Sequence, residues 1–119
     1  MCTLIVLHRC VPGSPLVVAA NRDEFLDRPA EGLAIRKTGS GRILSPLDLE
    51  AGGTWLGLSE RGVFAGLTNL RPLEVETRDA HVAGTASLRS RGEVVMAALE
   101  AESAGHAARQ IRKLSEAAY

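Results

Sequence analysis

The residue pattern changes near residue 71, and this change constrains the fold more than any other feature of the chain. Before it, short apolar runs alternate with Gly, Pro and Asp, which is typical of strands and turns. From residue 90 onward, apolar residues recur at helical spacing. The intervening stretch 71–89 is polar and without a period, so it is predicted to be a long loop. Strands followed by helices favour an α+β domain over alternating βαβ units.

Turn residues divide the first part of the chain into candidate strands. Segment 11–15 contains two prolines and a glycine and predicts the turn of a hairpin. A second hairpin is predicted around residues 60–62. In chain order, the predicted elements are strands at Thr3–Leu7, Leu16–Ala20, Gly32–Arg36, Arg42–Leu44, Thr54–Ser59 and Gly62–Thr68, and helices at Ser90–Glu102 and Ala104–Ala118.

Length and charge narrow the classes of function. A chain of 119 residues is one domain at most. Its 14 basic and 14 acidic residues leave no net field that would attract nucleic acid or an anionic membrane. Aromatic residues make up 3%, which argues against a base-stacking platform. No apolar run approaches the roughly 20 residues that span a bilayer. We therefore expect neither a nucleic-acid partner nor a membrane span.

The cysteines and histidines suggest a location but no metal site. The N-terminus lacks the basic segment, apolar core and cleavage site of a signal peptide, so the reducing cytoplasm is the expected location. A disulfide between Cys2 and Cys10 is then not expected. The two cysteines lack a CxxC spacing, and His8, His81 and His106 are scattered, so no metal site is recognisable.

Cys2 is the first candidate for chemistry because it directly follows Met1. Cysteine is small enough that removal of Met1 is expected, which would leave a thiol and a free α-amine on one residue. An α-amine has an ordinary pKa of about 7.7–8.0 and can act as a base near neutral pH. Cys2 could then supply both nucleophile and base, as in N-terminal nucleophile hydrolases. The alternative is a small buried residue that opens a strand.

The polar segment 21–24 follows the second predicted strand directly. If that strand pairs with the first, the segment lies near the Cys2 end of the sheet. Arg22 could then stabilise a thiolate or bind a substrate carboxylate in a bidentate pair. Asp23 could accept a hydrogen bond from the terminal ammonium group. The alternative is a polar turn with a local Arg–carboxylate pair, which contributes little at a surface.

Two further segments leave their roles open. The pair Gly52-Gly53 precedes a strand and permits positive φ or a close backbone approach. Trp55 could cover a pocket, although an anchor in the core is the more common role. Asn69 follows a strand and could donate to a developing oxyanion or cap a turn by binding its own backbone.

Five short blocks in chain order carry a resemblance to a known family. They are Met1-Cys2-Thr3, Ala20-Asn21-Arg22-Asp23-Glu24-Phe25, Ala51-Gly52-Gly53-Thr54-Trp55-Leu56-Gly57, Leu67-Thr68-Asn69 and Ser90-Arg91-Gly92. Each block alone is weak, but five in sequence resemble the NRDE family, which is also called the transport and Golgi organisation family. That resemblance implies an N-terminal nucleophile hydrolase-like αββα sandwich.

A more distant similarity is to the choloylglycine hydrolases and penicillin V acylases, which also begin Met-Cys-Thr. They carry a polar cluster after the second strand and a stretch similar to residues 59–67 that runs into an Asn. This similarity implies that Cys2 is the nucleophile and, through its amine, the base. It further implies that Asp23 orients the amine, that Arg22 assists the thiolate or the substrate, and that Asn69 donates to the oxyanion.

The resemblance leaves two functions open. One is an amidohydrolase of linear, non-peptide C–N bonds that works through a thioester and needs no cofactor or metal. The other is a non-enzymatic carrier of a hydrophobic small molecule such as haem or an acyl lipid. In either case the ligand is a small molecule, and the candidate substrate-binding residues are Asn21, Trp55 and Thr68. Thr68 is also the alternative to Asn69 as the oxyanion donor, because the alignment with the hydrolases can shift by one residue.

Members of the NRDE family are considerably longer than 119 residues. We therefore expect residues 1–119 to form the N-terminal part of a single NRDE-type domain. The predicted elements would make one sheet and one helical layer. The inward residues of that sheet, alternate members of 4–7 and 17–20, would then be exposed. Exposed apolar surface of this kind predicts low solubility or association with a second copy.

Overall fold

The computed structural model describes residues 2–68 and 91–118, with side chains described up to residue 113. Strands come first and helices follow, so the α+β prediction is confirmed. The elements are strands β1 (Thr3–Val11), β2 (Ser14–Asn21), β3 (Ala30–Thr38), β4 (Gly41–Asp48), β5 (Leu56–Ser59) and β6 (Phe64–Gly66), and helices α1 (Arg91–Leu99) and α2 (Ala104–Ala118).

All eight predicted elements are present, with shifted ends. Both predicted hairpins form, as β1–β2 and β5–β6, and Gly13 and Gly62 in their turns have φ of 76° and 79°. Strands β3 and β4 are longer than predicted because they pair with each other over most of their length. The loop predicted for 71–89 lies outside the described residues.

The strands form two sheets, so the expectation of one sheet is wrong. Strands β1 and β2 make an antiparallel pair, with Thr3 opposite Asn21. The other sheet has the order β3-β4-β5-β6 and is antiparallel throughout. The segment after β2 bonds to β4 through the side chains of Arg22 and Arg28, rather than extending a shared backbone ladder. This arrangement is compatible with the N-terminal part of an αββα sandwich.

Helix α1 packs on the four-stranded sheet and supplies much of the buried core. Val95 and Leu99 of α1 cluster with Ile43 of β4. The approach is close because Gly57 of β5 has no side chain. A Cβ atom at that position would lie 2.6 Å from Leu99 Cδ1. A second cluster joins α1 and α2 to the β5–β6 hairpin through the buried residues Val63, Ala98, Ala101 and Ala107.

The β1–β2 hairpin exposes apolar side chains, as expected from the sequence. Ile5 and Leu7 on one face are 52% and 38% exposed, and Val6 between them is 47% exposed. Val17 and Val18 on β2 are half-buried. Among the helices in the described ranges, none is both long and apolar enough to cross a membrane.

A close backbone contact places the start of α1 beside the loop between β4 and β5. A Cβ atom on Gly53 would lie 2.8 Å from the carbonyl carbon of Gly92, in the first turn of α1. Gly52 has φ of 75°, which favours glycine. Gly52 therefore adopts the positive φ, and Gly53 permits the close backbone approach, that the sequence suggested for this pair. The two glycines bring the loop and the helix to one edge of a cleft.

Candidate functional site

A cleft of about 120 Å³ lies where five parts of the chain meet. These are the open end of the β1–β2 hairpin with the segment that follows it to Arg28, the end of β4, the loop 51–55 with the start of β5, the residues after β6 and the first turn of α1. Antiparallel pairing explains the first contribution, because the start of β1 and the end of β2 lie side by side. The cleft therefore collects residues that are far apart in the sequence.

Cys2 lies at the hairpin end of this cleft and is half-buried. Its Sγ atom accepts a hydrogen bond from the backbone N–H of Asp23 at 3.4 Å. The thiol also lies 3.7 Å from the Asp23 carbonyl oxygen, which can accept the S–H proton. The thiol is free rather than part of a disulfide. These contacts to one backbone unit fix the position of the sulfur relative to the polar segment after β2.

Arg22 is held from two sides. Its Nη2 donates to Asp48 Oδ2 at 3.1 Å, and its guanidinium carbon lies 4.2 Å from the centre of the Trp55 ring. The side chain is 18% exposed. An arginine stacked on an indole ring gains roughly 0.5–1 kcal/mol, and more where water is excluded. The ion pair is long-range, so the alternative of a local Arg–carboxylate pair within segment 21–24 is wrong for Arg22.

Asp48 organises the floor of the cleft. Its Oδ2 accepts from Arg22 and from Arg28 Nε, the latter at 2.9 Å, while its Oδ1 accepts the backbone N–H groups of Glu50 and Ala51, both at 3.0 Å. Burial by itself favours the neutral acid. The hydrogen bonds from Ala51, Arg28 and Glu50 outweigh it, and the pKa of Asp48 is lowered. The same bond to Asp48 raises the pKa of Arg28.

The structure brings most of the sequence-predicted site residues together. Five of the seven line the cleft: Cys2, Asn21, Arg22, Trp55 and Thr68. Asp23 contacts Cys2 through its backbone. Asn69 and Met1 lie outside the described residues, so the oxyanion role and the α-amine stay predictions. The chemical roles of the other residues also stay predictions.

Trp55 is a wall of the cleft, so the role of core anchor is wrong for it. The residue is half-buried, and its ring carries the Arg22 guanidinium. The largest fully buried side chains among the described residues are instead Leu99, Thr54 and Ser45.

Sequence reasoning missed four cleft residues: Arg28, Asp48, Thr54 and Arg91. A signal for Asp48 was present, because an Asp at a strand end before a Gly-Gly pair often accepts the N–H groups two and three residues later. Thr54 is buried and donates its hydroxyl to the Leu56 carbonyl at 2.8 Å, which fixes the turn into β5. Arg91 lies in a block that carried the family resemblance, but no role was predicted for it, and Arg28 gave no local signal.

Metal ligands do not converge in the part of the chain that the structure describes. No three His, Cys, Asp or Glu side chains lie close enough there to hold a metal ion. The carboxylates that line the cleft are Glu24 and Asp48, and Asp48 is paired with Arg22 and Arg28.

Comparison with known proteins identifies the family. The sequence model described as Transport and Golgi organisation 2 matches residues 1–118. The "Transport and Golgi organization 2 homolog" of Mus musculus is 48% identical over 84 residues, which cover 67% of this chain and 26% of the mouse protein. The human "Transport and Golgi organization protein 2 homolog" is 43% identical over 83 residues, with the same coverage of 67% and 26%.

The chain thus spans about a quarter of the length of these relatives, 26% in each case. No solved structure shows a significant match. The family match extends over nearly the whole chain and includes every block that carried the resemblance. On these grounds, the chain belongs to the Transport and Golgi organisation 2 family, also called the NRDE family.

Proposed function

We propose that this chain carries the nucleophile of an N-terminal cysteine amidohydrolase that cleaves linear, non-peptide C–N bonds. One observation supports the proposal most strongly: the Cys2 sulfur lies in the cleft and accepts the backbone N–H of Asp23 at 3.4 Å. A backbone N–H at this position can hold the sulfur in place for attack on a carbonyl carbon. Arg22, fixed by Asp48 and Trp55, adds a positive charge to the same cleft.

The proposed reaction has two steps. In the first, the α-amine of Cys2 takes the thiol proton, and the sulfur attacks the amide carbonyl carbon. A C–S bond forms, the C–N bond breaks, and the amine leaves with the proton that the α-ammonium returns. Asn69 and a backbone N–H hold the oxyanion. In the second step, water attacks the thioester carbonyl carbon, the C–S bond breaks, and the carboxylic acid and free thiol are released.

The proposal needs no metal or cofactor, since nucleophile and base belong to one residue. It needs a reduced thiol, which the cytoplasm maintains. The proposed substrate is a small molecule, because the cleft has a volume of about 120 Å³.

A second candidate function is supported by the apolar wall of the same cleft. Leu4, Leu56 and Leu67 line it together with Trp55. Such a wall suits a carrier of a hydrophobic small molecule, such as haem or an acyl lipid. The words "transport" and "Golgi organization" in the names of the relatives agree with a role in trafficking. The two functions differ in one requirement. The hydrolase needs an activated Cys2, and a carrier does not.

Intact-mass measurement of the protein from its native host tests the proposal. We expect a mass that lacks Met1, because Cys2 is small and the mechanism needs its α-amine. Protein in which Met1 is retained would rule out the hydrolase mechanism and would favour the carrier. The same protein expressed with an uncleavable N-terminal extension is the matched control, and it should be inactive on amides while keeping its fold.

A further inference from the structure

The two arginines bound to Asp48 have unused donors that face the cleft. A guanidinium group has five N–H donors. Within the described residues, Arg22 uses one side-chain donor and Arg28 uses one, and both bond to the same oxygen, Asp48 Oδ2. Both residues line the cleft, and their side chains are 18% and 29% exposed. Most of the N–H groups of this pair are therefore available to a ligand.

The charge of this group is not balanced internally. Asp48 supplies one negative charge against two guanidinium groups. The trio of Asp48, Arg22 and Arg28 therefore carries a net positive charge. Glu24 also lines the cleft and keeps its negative charge, but Arg91 lines it too, so three arginines face two carboxylates and the cleft keeps one net positive charge. An anion that binds the trio would complete the charge balance and would meet planar donors suited to a carboxylate.

The geometry of the trio is already set before a ligand binds. Asp48 is 8% exposed and accepts four N–H groups, so its carboxylate cannot rotate freely. Arg22 is further fixed by the Trp55 ring at 4.2 Å. Arginines that are held in place lose little side-chain entropy on binding, which is the advantage of a preorganised site.

From these contacts we infer that Arg22 and Arg28 form a carboxylate-binding subsite, and that the cleft takes a small organic acid whose apolar part lies against Leu4, Leu56 and Trp55. The inference rests on the proposed function for the orientation of the ligand in the cleft. In that orientation the acid group lies at the arginines and the scissile bond lies at Cys2. Binding of the acid is independent of hydrolysis, so the two can fail separately.

The test compares hexanoate with hexanamide, which differ in charge but hardly in shape. Isothermal titration of the 119-residue chain should show hexanoate binding at least about tenfold more tightly than hexanamide, because charge-assisted hydrogen bonds are about twice as strong as neutral ones. Equal affinities, or no binding of hexanoate, would overturn the inference. If the parent hydrolyses hexanamide during the titration, the same comparison is made with Cys2→Ala, which lacks the nucleophile.

Variants then locate the subsite. Arg22→Gln and Arg28→Gln should each weaken hexanoate binding about tenfold and leave hexanamide unchanged. Arg22→Lys, which keeps the charge but loses the planar fork, should also weaken it. The matched control is Arg109→Gln, an exposed arginine on α2, and it should bind as the parent does. An equal loss in Arg109→Gln would show a general charge effect and would overturn the assignment.

The same titration on Cys2→Ala separates this inference from the proposed function. If the carboxylate preference persists in Cys2→Ala while the parent hydrolyses no amide, the subsite stands and the hydrolase proposal fails. If the parent hydrolyses amides but binds hexanoate and hexanamide alike, the hydrolase proposal stands and the subsite fails.

Discussion

Cys2→Ala is expected to abolish amide hydrolysis, with a fall in kcat/KM of at least about a thousandfold. The reason is that the sulfur is both the attacking atom and the acyl carrier, and no other described side chain in the cleft has a thiol. The assay follows release of a fluorescent amine from linear N-acyl amides such as hexanoyl anilides. Retention of activity in Cys2→Ala would place the nucleophile elsewhere.

Cys10→Ala is the matched control for this variant. Cys10 is exposed near the far end of β1, and its Sγ contacts the carbonyl oxygen of His8 at 3.4 Å. It lies on β1, the strand that Cys2 directly precedes, but it does not line the cleft. Hydrolysis by Cys10→Ala should equal that of the parent. A large loss in both variants would point to damage of the hairpin rather than to the removal of a nucleophile.

Asp48→Asn is expected to lower the free energy of unfolding by about 3 kcal/mol, in the range found when one partner of a buried ion pair is removed. Asp48 is buried and accepts bonds from two arginines and two backbone N–H groups. The substitution removes the negative charge that pairs with Arg22 and Arg28. Chemical unfolding at pH 7 measures the loss. Glu60→Gln, which breaks an exposed pair with Arg42, is the control and should have little effect.

The contribution of Asp48 to the free energy of unfolding should depend on pH in a defined direction. Its pKa is lowered in the folded protein, so the unfolded chain takes up the proton first as pH falls. The stabilisation is therefore present in full above the ordinary Asp pKa of about 4 and is lost as pH falls through the lower folded value. The stability difference between the parent and Asp48→Asn should shrink below about pH 4. A difference that stays constant down to pH 2 would show that the charge of Asp48 contributes nothing.

The order of strands and helices could be predicted because its signals are local. Pro12 and Gly13 mark the first turn, and Gly62 marks the turn between β5 and β6. Apolar residues at helical spacing predicted α1 and α2 to within a few residues. The division into two sheets could not be predicted, because it depends on which strands pair over distance, and alternating apolar residues are alike in either arrangement.

The sequence predicted the part of the candidate site that lies close to the ends of the predicted strands. Cys2 and Arg22 line the same cleft because antiparallel pairing of β1 and β2 places Thr3 opposite Asn21, and the predicted hairpin already placed the segment after β2 near the Cys2 end of the sheet. Asp48 was missed because its partners, Arg22 and Arg28, lie 26 and 20 residues away in the sequence. Contacts of that kind arise from tertiary packing and leave no periodic pattern in the chain.

The relative reactivity of the two cysteines tests the central claim most directly. The folded protein is labelled with iodoacetamide at pH 7, and the rates at Cys2 and Cys10 are followed by mass spectrometry of their peptides. In the proposed mechanism the α-amine of Cys2 acts as the base for its own thiol, so Cys2 should react about tenfold faster than Cys10 although it is the less exposed thiol. The two should react alike once the chain is unfolded in guanidinium chloride. Equal rates in the folded protein would contradict an activated nucleophile at Cys2.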